Sequence, residues 1–338
     1  MEYRSLGRTG VQVSVACFET MTFGWDPDDW GSTEEESHRL THLALDLGIN
    51  FFDTANVYAR GRSEEILGRA LGARRADIVL ATKCHGNMSD SDPNASGNSF
   101  RHVVSACEDS LKRLGTDYID LYQIHRPQPS IPIDETLRAM DVLQKQGKIR
   151  YAGCSTFAGW QVCEAHYVAK QLGFAGFVTE QPPYNLLDRR IERELLPFCL
   201  TYDYAVIPWS PMAGGILSGK YLHGTNENGR YGKTDPAGRV ALAPREKLME
   251  LENVAKEAGH SLATLSLAWV ANQPGITSPI IGARSETQLR ESVEACLLKL
   301  SPQQLEEVDK IFEPWGSLRE LLFRKLWPRA KAGLSVVL

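Results

Sequence analysis

FDTANVY (residues 52–58) is a short apolar run that stops on a carboxylate, Asp53, and then carries a phenol, Tyr58. Two further runs are built alike: LATK (80–83) closes on Lys83, and LYQIH (121–125) closes on His125. GCST (153–156) follows the same plan less regularly. Working outward, β-rich apolar runs recur at residues 15–20, 50–54, 78–83, 119–125, 149–155, 177–181, 205–209 and 278–281, with helix-period stretches between them. Strand and helix alternating in this way predict an α/β fold, a (β/α)8 TIM barrel of parallel strands. Ser32 with Glu35, Ser285 with Gln288, and Ser301 with Gln304 have the spacing of helix-starting capping boxes. The opening residues, turning at Gly7 to Gly10, predict a hairpin that closes the barrel bottom. Residues 85–98 and 223–243 are rich in Gly, Asn, Asp and Pro, and read as long loops on the C-terminal face, lids or walls of a substrate site. With no repeat or linker, residues 1–338 read as a single barrel domain.

In such barrels chemistry gathers where the strands end. Asp53, Lys83, His125, Ser155, Gln181 and Trp209 all fall at the ends of their predicted strands, which scattered structural polar residues would not do. Carboxylate, phenol, ammonium and imidazole together suit one task. A phenol is a weak acid near neutral pH, a nearby cation favours its ionised form, a carboxylate anchors that cation, and an imidazole orients a carbonyl oxygen. The set can protonate a carbonyl while hydride arrives from elsewhere.

The strings TMTFG (20–24), RSEEILGRAL (62–71), RLGTDYIDLYQIHRP (113–127), GKIRYAGCS (147–155), QPPYNLLDR (181–189), PWSPMAGGILSGKY (208–221) and SPIIGAR (278–284), in this order, resemble the aldo-keto reductases along nearly the whole chain. The resemblance implies that Tyr58 is general acid, with Lys83, Asp53 and His125 beside it. It also implies an NADP(H) cofactor held by Thr20, Ser155, Thr156, Gln181, Trp209, Ser210, Gly282, Arg284, Gln288 and Ser292. Trp209 would stack on the nicotinamide, Ser155 and Gln181 would bond its carboxamide, and Ser210 with the following AGG turn would line the pyrophosphate. Arg284 before a capped helix suits the 2′-phosphate, since a guanidinium grips phosphate and a helix start offers free N–H groups. No GxGxxG follows the first strand, so a dinucleotide is held by other means.

Three positions depart from the family pattern. Glu19 stands where glycine is usual, and Thr156 and Ser292 stand where asparagine is usual. Glu19 puts a carboxylate where backbone ordinarily approaches the dinucleotide. This leaves two alternatives to an NADPH-dependent carbonyl reductase: a non-redox proton-transfer enzyme using Glu19 and the tetrad, and a cofactor-sensing regulatory subunit. Trp25, Trp30 and Tyr184 are candidate walls of a small-molecule carbonyl pocket.

Composition narrows the class. A net charge of -5 and a pI near 6.0 leave no basic footprint for nucleic acid, and the one cationic cluster, Arg319, Arg324, Lys325, Arg329 and Lys331, reads as a solvated end. Seven cysteines with no CxxC pair predict reduced thiols, no metal site and a cytoplasmic protein, with Cys84 a strand-end filler. No signal peptide or membrane span is read, and the chain is compatible with a monomer or an oligomer.

Overall fold

The computed structural model describes residues 1–26, 31–224, 231, 235 and 237–312. Trp30, residues 225–230, 232–234 and 236 of the second long loop, and the cationic cluster of the tail lie outside the described residues. Strands β1 (Tyr3–Ser5) and β2 (Gln12–Ser14) form the expected antiparallel hairpin, with Tyr3 opposite Ser14. Its turn needs glycine: Gly7 has φ 57°, and a Cβ there would lie 2.6 Å from the Asp203 carbonyl oxygen. The hairpin thereby presses against the chain entering the seventh barrel strand.

Each predicted barrel run contains one strand: β3 (Cys17–Glu19), β4 (Phe51–Asp53), β5 (Val79–Cys84), β6 (Ile119–Ile124), β7 (Ile149–Ser155), β8 (Phe177–Gln181), β9 (Ala205–Val206) and β10 (Ile280–Ile281). They pair in parallel in the order β10-β3-β4-β5-β6-β7-β8-β9. The two ends of that order meet, because the Thr277 N–H donates to the Val206 carbonyl (2.8 Å) and the Ile280 N–H to the Pro208 carbonyl (2.9 Å). Past Val206 the run still bonds to its neighbour through the Ile207 N–H to the Glu180 carbonyl (3.0 Å) and the Trp209 N–H to the Pro182 carbonyl (2.9 Å), but Pro182 and Pro183 opposite have no N–H to give in return.

Side chains alternate across each strand. Cys17, Phe51, Val79, Ala81 and Leu121 point inward and form an apolar plug in the barrel. Phe18, Phe52, Leu80, Tyr122 and Ile124 point outward into the larger core under the helices. Continuing the inward parity toward the strand ends brings Glu19, Asp53, Lys83, Gln123 and His125 above the plug. The polar layer thus follows from period-two patterning.

Ten helices among the described residues surround the sheet: α1 (Glu34–Asp46), α2 (Arg62–Leu71), α3 (Phe100–Leu114), α4 (Ile133–Lys145), α5 (Gly159–Leu172), α6 (Leu195–Thr201), α7 (Arg245–Glu257), α8 (Leu262–Ala271), α9 (Glu286–Leu297) and α10 (Pro302–Phe312). The first capping box lies one residue later than expected: Thr33 accepts from the Glu36 N–H, and Glu36 reaches back to the Thr33 N–H. Ser32 instead pairs in a bridge with Phe23 and is buried. The box at Ser301 starts α10 as expected, whereas at Ser285 only half of it forms: the Ser285 hydroxyl caps α9, but the Gln288 side chain reaches the Arg284 N–H.

The string RSEEILGRAL is α2, and its buried Glu64 explains much of its content. Glu64 accepts from Arg113 Nε (2.7 Å) and from Thr82 Oγ1 (2.6 Å), tying α2 and α3 to the strand that carries Lys83. Gly68 lets α2 and α3 touch, since a Cβ there would lie 2.4 Å from the Leu114 carbonyl oxygen. No described helix is long and apolar enough to cross a membrane.

Candidate active site

Asp53 ends β4 and Lys83 lies near the end of β5, both fully buried. Lys83 Nζ donates to Asp53 Oδ1, to the Thr54 carbonyl oxygen (2.8 Å) and to the Tyr58 hydroxyl (3.3 Å). The other Asp53 oxygen accepts from Gln181 Nε2 (2.9 Å) and Gln123 Nε2 (3.2 Å). Four groups, the Thr54 carbonyl, Tyr58, Gln123 and Gln181, are therefore knit around one ammonium–carboxylate pair. Tyr58 and His125 stand edge to face, ring centroids 5.9 Å apart, and both are half-buried, open toward the barrel mouth.

The electrostatics differ in one respect from the sequence expectation. Burial raises the Tyr58 phenol, and although Lys83 pulls the other way, Glu19 and Asp53 add to the rise, so its pKa lies above the ordinary value. Tyr58 is thus a protonated donor at neutral pH, with Lys83 limiting the cost of losing that proton. Burial works against the charge on Lys83, but Asp53, Tyr58 and Glu19 outweigh it and the ammonium is held. Burial, with Lys83 and Arg126, pushes His125 down to about 2, leaving a neutral imidazole. Burial likewise pushes the Cys84 thiol up to about 12, in keeping with a filler.

The remaining expected residues divide. Ser155 ends β7, and its hydroxyl donates to the Gln181 carbonyl oxygen (2.8 Å). Thr156 (φ 63°) and Ser210 (φ 56°) both have left-handed backbone. So do Ala59, Arg60, His85 and Ala213. All six follow site-bearing strands or Tyr58, and strain of this kind gathers at functional sites. Trp209 is half-buried beside this loop, while Gly214 (φ 67°) and Gly215 (φ 94°) continue its left-handed run. A Cβ on Gly215 would lie 2.7 Å from Lys220 Nζ, so an ammonium stands against the loop. Arg284, Gln288 and Gly282 are exposed and Ser292 is half-buried. Gln288 Oε1 accepts from the Arg284 N–H (2.9 Å), which fixes the backbone under the guanidinium.

Two residues depart from expectation. Tyr184 is fully buried: its hydroxyl donates to Glu192 (2.6 Å) and its ring packs on Trp269, so it belongs to the core and not to a pocket wall. The Thr20 hydroxyl is buried against Ser63 (2.9 Å), which leaves it no face toward a cofactor. Trp25 is 39% exposed, in the segment that follows β3. Gln123, Arg126 and Lys220 were missed; for Gln123 the signal was its inward parity two positions before His125.

A dinucleotide can be tested against these donors. The left-handed loop at Ser210, Lys220 beside Gly215, and the exposed Arg284 at the start of α9 form a donor set that fits phosphates. One group is at odds with it: a Cβ on Gly282 would lie 3.3 Å from Glu19 Oε2, so this carboxylate fills part of the space the glycine leaves.

The aldo/keto reductase family model matches residues 17–313 of the chain. An uncharacterized oxidoreductase, YrpG, of Bacillus subtilis (strain 168) is 40% identical over 335 residues, covering 95% of this chain and 99% of the relative. A probable voltage-gated potassium channel subunit beta of Oryza sativa subsp. japonica is 38% identical, covering 93% and 97%. Versiconal hemiacetal acetate reductase of Aspergillus parasiticus is 33% identical, covering 93% and 98%. Matched across most of its length and carrying the buried lysine–carboxylate pair under a tyrosine and a histidine, the chain belongs to the aldo-keto reductase family.

Proposed function

We propose that this protein is an NADPH-dependent reductase of aldehydes or ketones, with Tyr58 as general acid. The observation that carries the reading is the contact of Lys83 Nζ with the Tyr58 hydroxyl while Asp53 and the Thr54 carbonyl hold the ammonium in place. When bound, the nicotinamide supplies the hydride that reduces the carbonyl carbon. The chain does the rest. Tyr58 and the neutral His125 hold the carbonyl oxygen, and Tyr58 gives it a proton as charge develops there. Lys83 then faces a phenolate instead of a phenol, and its charge stabilises the product of that transfer. Solvent at the open mouth returns the proton. Trp209, Ser155 and Gln181 would hold the nicotinamide end, and Ser210, Lys220 and Arg284 the phosphates.

The test is Tyr58→Phe. NADPH binding, followed by quenching of tryptophan fluorescence, should survive, while carbonyl-dependent NADPH oxidation should fall by at least ~100-fold. Unchanged turnover would remove Tyr58 from the role. NADPH binding without turnover of any carbonyl would favour a cofactor-sensing subunit, the reading to which the channel-subunit relatives lend support.

One observation favours a second reading. The strand register sets Glu19 directly beside Asp53, with its other flank against Gly282. A carboxylate so placed suits a base in a proton-transfer reaction on a carbonyl compound. Glu19→Gly separates the two. A reductase should keep or gain NADPH-linked turnover, whereas a proton-transfer enzyme should lose its native reaction and gain NADPH affinity.

A further inference from the structure

Most cations near the mouth are already spoken for. Lys83 is paired with Asp53, Arg60 with Asp90 (3.0 Å) and Arg190 with Asp188. Arg284 and Arg126 differ from these: both are exposed and have no carboxylate within 4.0 Å among the described residues. They do not stand together. Arg284 follows β10 and Arg126 follows β6, four places apart in the eight-stranded order and so on opposite sides of the closed barrel. Arg284 has the helix start that suits a phosphate of the dinucleotide, which leaves Arg126 to be explained.

Arg126 directly follows His125, so its backbone lies one residue from the imidazole that faces Tyr58. That backbone is pinned: the Arg126 carbonyl oxygen accepts from Asn98 Nδ2 (2.9 Å), and Asn98 is itself held by Gln128 (2.7 Å) and His85 (2.8 Å). The side chain is held only by neutral groups. Nη1 donates to Thr156 Oγ1 (2.6 Å), and the guanidinium carbon lies 5.6 Å from the centre of a Trp209 ring. A planar fork with donors to spare, fixed at its root and open at its tip, is suited to a carboxylate.

Resting on the reductase reading, we infer that the substrates are oxo acids: the carbonyl sits at Tyr58 and His125, and Arg126 receives the carboxylate. Thr156, which stands where the family pattern has asparagine, offers its hydroxyl at the same point.

The test compares para-carboxybenzaldehyde with its methyl ester, two aldehydes of nearly the same shape that differ in charge, using NADPH and the full chain. The wild type should prefer the acid in kcat/KM. In Arg126→Gln the ratio of acid to ester should fall by about 10–100-fold, the scale of a hydrogen bond to a charged group. Arg126→Glu should carry the preference past the ester. Reduction of both aldehydes without preference for the acid overturns the role of Arg126 and leaves the reductase reading standing. A loss in Arg126→Gln that falls equally on both aldehydes, or on NADPH affinity measured by fluorescence, also overturns it, and assigns the guanidinium to the fold or the cofactor. If neither aldehyde nor any other carbonyl is reduced while NADPH binds, the reductase reading itself fails and the proposal fails with it.

Discussion

The floor of the site and its rim are built on opposite principles. On the floor, Asp53 and Lys83 are fully buried, and both carboxylate oxygens and the ammonium have partners within the protein. On the rim, Arg126 and Arg284 are exposed and lack carboxylate partners among the described residues. A buried pair holds its geometry because breaking it strands a charge away from water. An exposed guanidinium costs little to leave unpaired, so it stays available for a ligand. The proposed chemistry is placed on the floor, and the proposed recognition on the rim.

The largest test of this contrast is Lys83→Met. It removes the cation that stabilises a phenolate and leaves Asp53 with only amide partners, so turnover should fall by at least ~100-fold. Stability should drop by about 3–5 kcal/mol, the cost of breaking a buried pair. Denaturant unfolding and carbonyl-dependent NADPH oxidation measure the two losses, and a variant as stable as wild type would mean that the floor is not held by this pair. A rim change should behave otherwise. Arg284→Ala should weaken NADPH binding by about 1.5–3 kcal/mol, with little change for NADH or in unfolding. Equal losses for both cofactors would place Arg284 on the shared pyrophosphate or in the fold.

The smallest effect sharpens what pairing does on the floor. Glu180 is buried on the outer side of the same wall, accepting from the Phe157 N–H (3.0 Å) and the Gln181 N–H (2.7 Å) but facing no cation within 4.0 Å among the described residues. Burial raises its carboxyl from 4.5 to about 8, despite those backbone donors. The folded state therefore keeps a proton that the unfolded chain gives up. The stability this contributes is complete below about pH 4.5 and is lost as pH rises through about 8. Thermal melts of wild type should fall across that window, and Glu180→Gln should flatten the fall. Parallel curves for the two proteins would count against a protonated Glu180.

Much of this was legible from one dimension. Period-two runs ending on Asp53, Lys83 and His125, separated by helix-period stretches, determined a parallel barrel with its polar layer at one end. The residue types alone pointed to carbonyl protonation. The barrel reading succeeds because strand parity and strand ends are local properties of the chain. Other features depend on contacts between residues far apart in sequence, and those only the closed barrel decided. It brought Gln123 and Gln181 onto one Asp53 oxygen, buried Tyr184 against Trp269 instead of leaving it in a pocket, and turned the Thr20 hydroxyl toward Ser63. The net direction of the Tyr58 pKa also waited on the structure, because desolvation depends on how much protein surrounds the phenol, and that quantity has no sequence code. Likewise, the sequence places Arg126 directly after His125, but only the closed barrel set its guanidinium against Thr156 and Trp209 and across from Arg284.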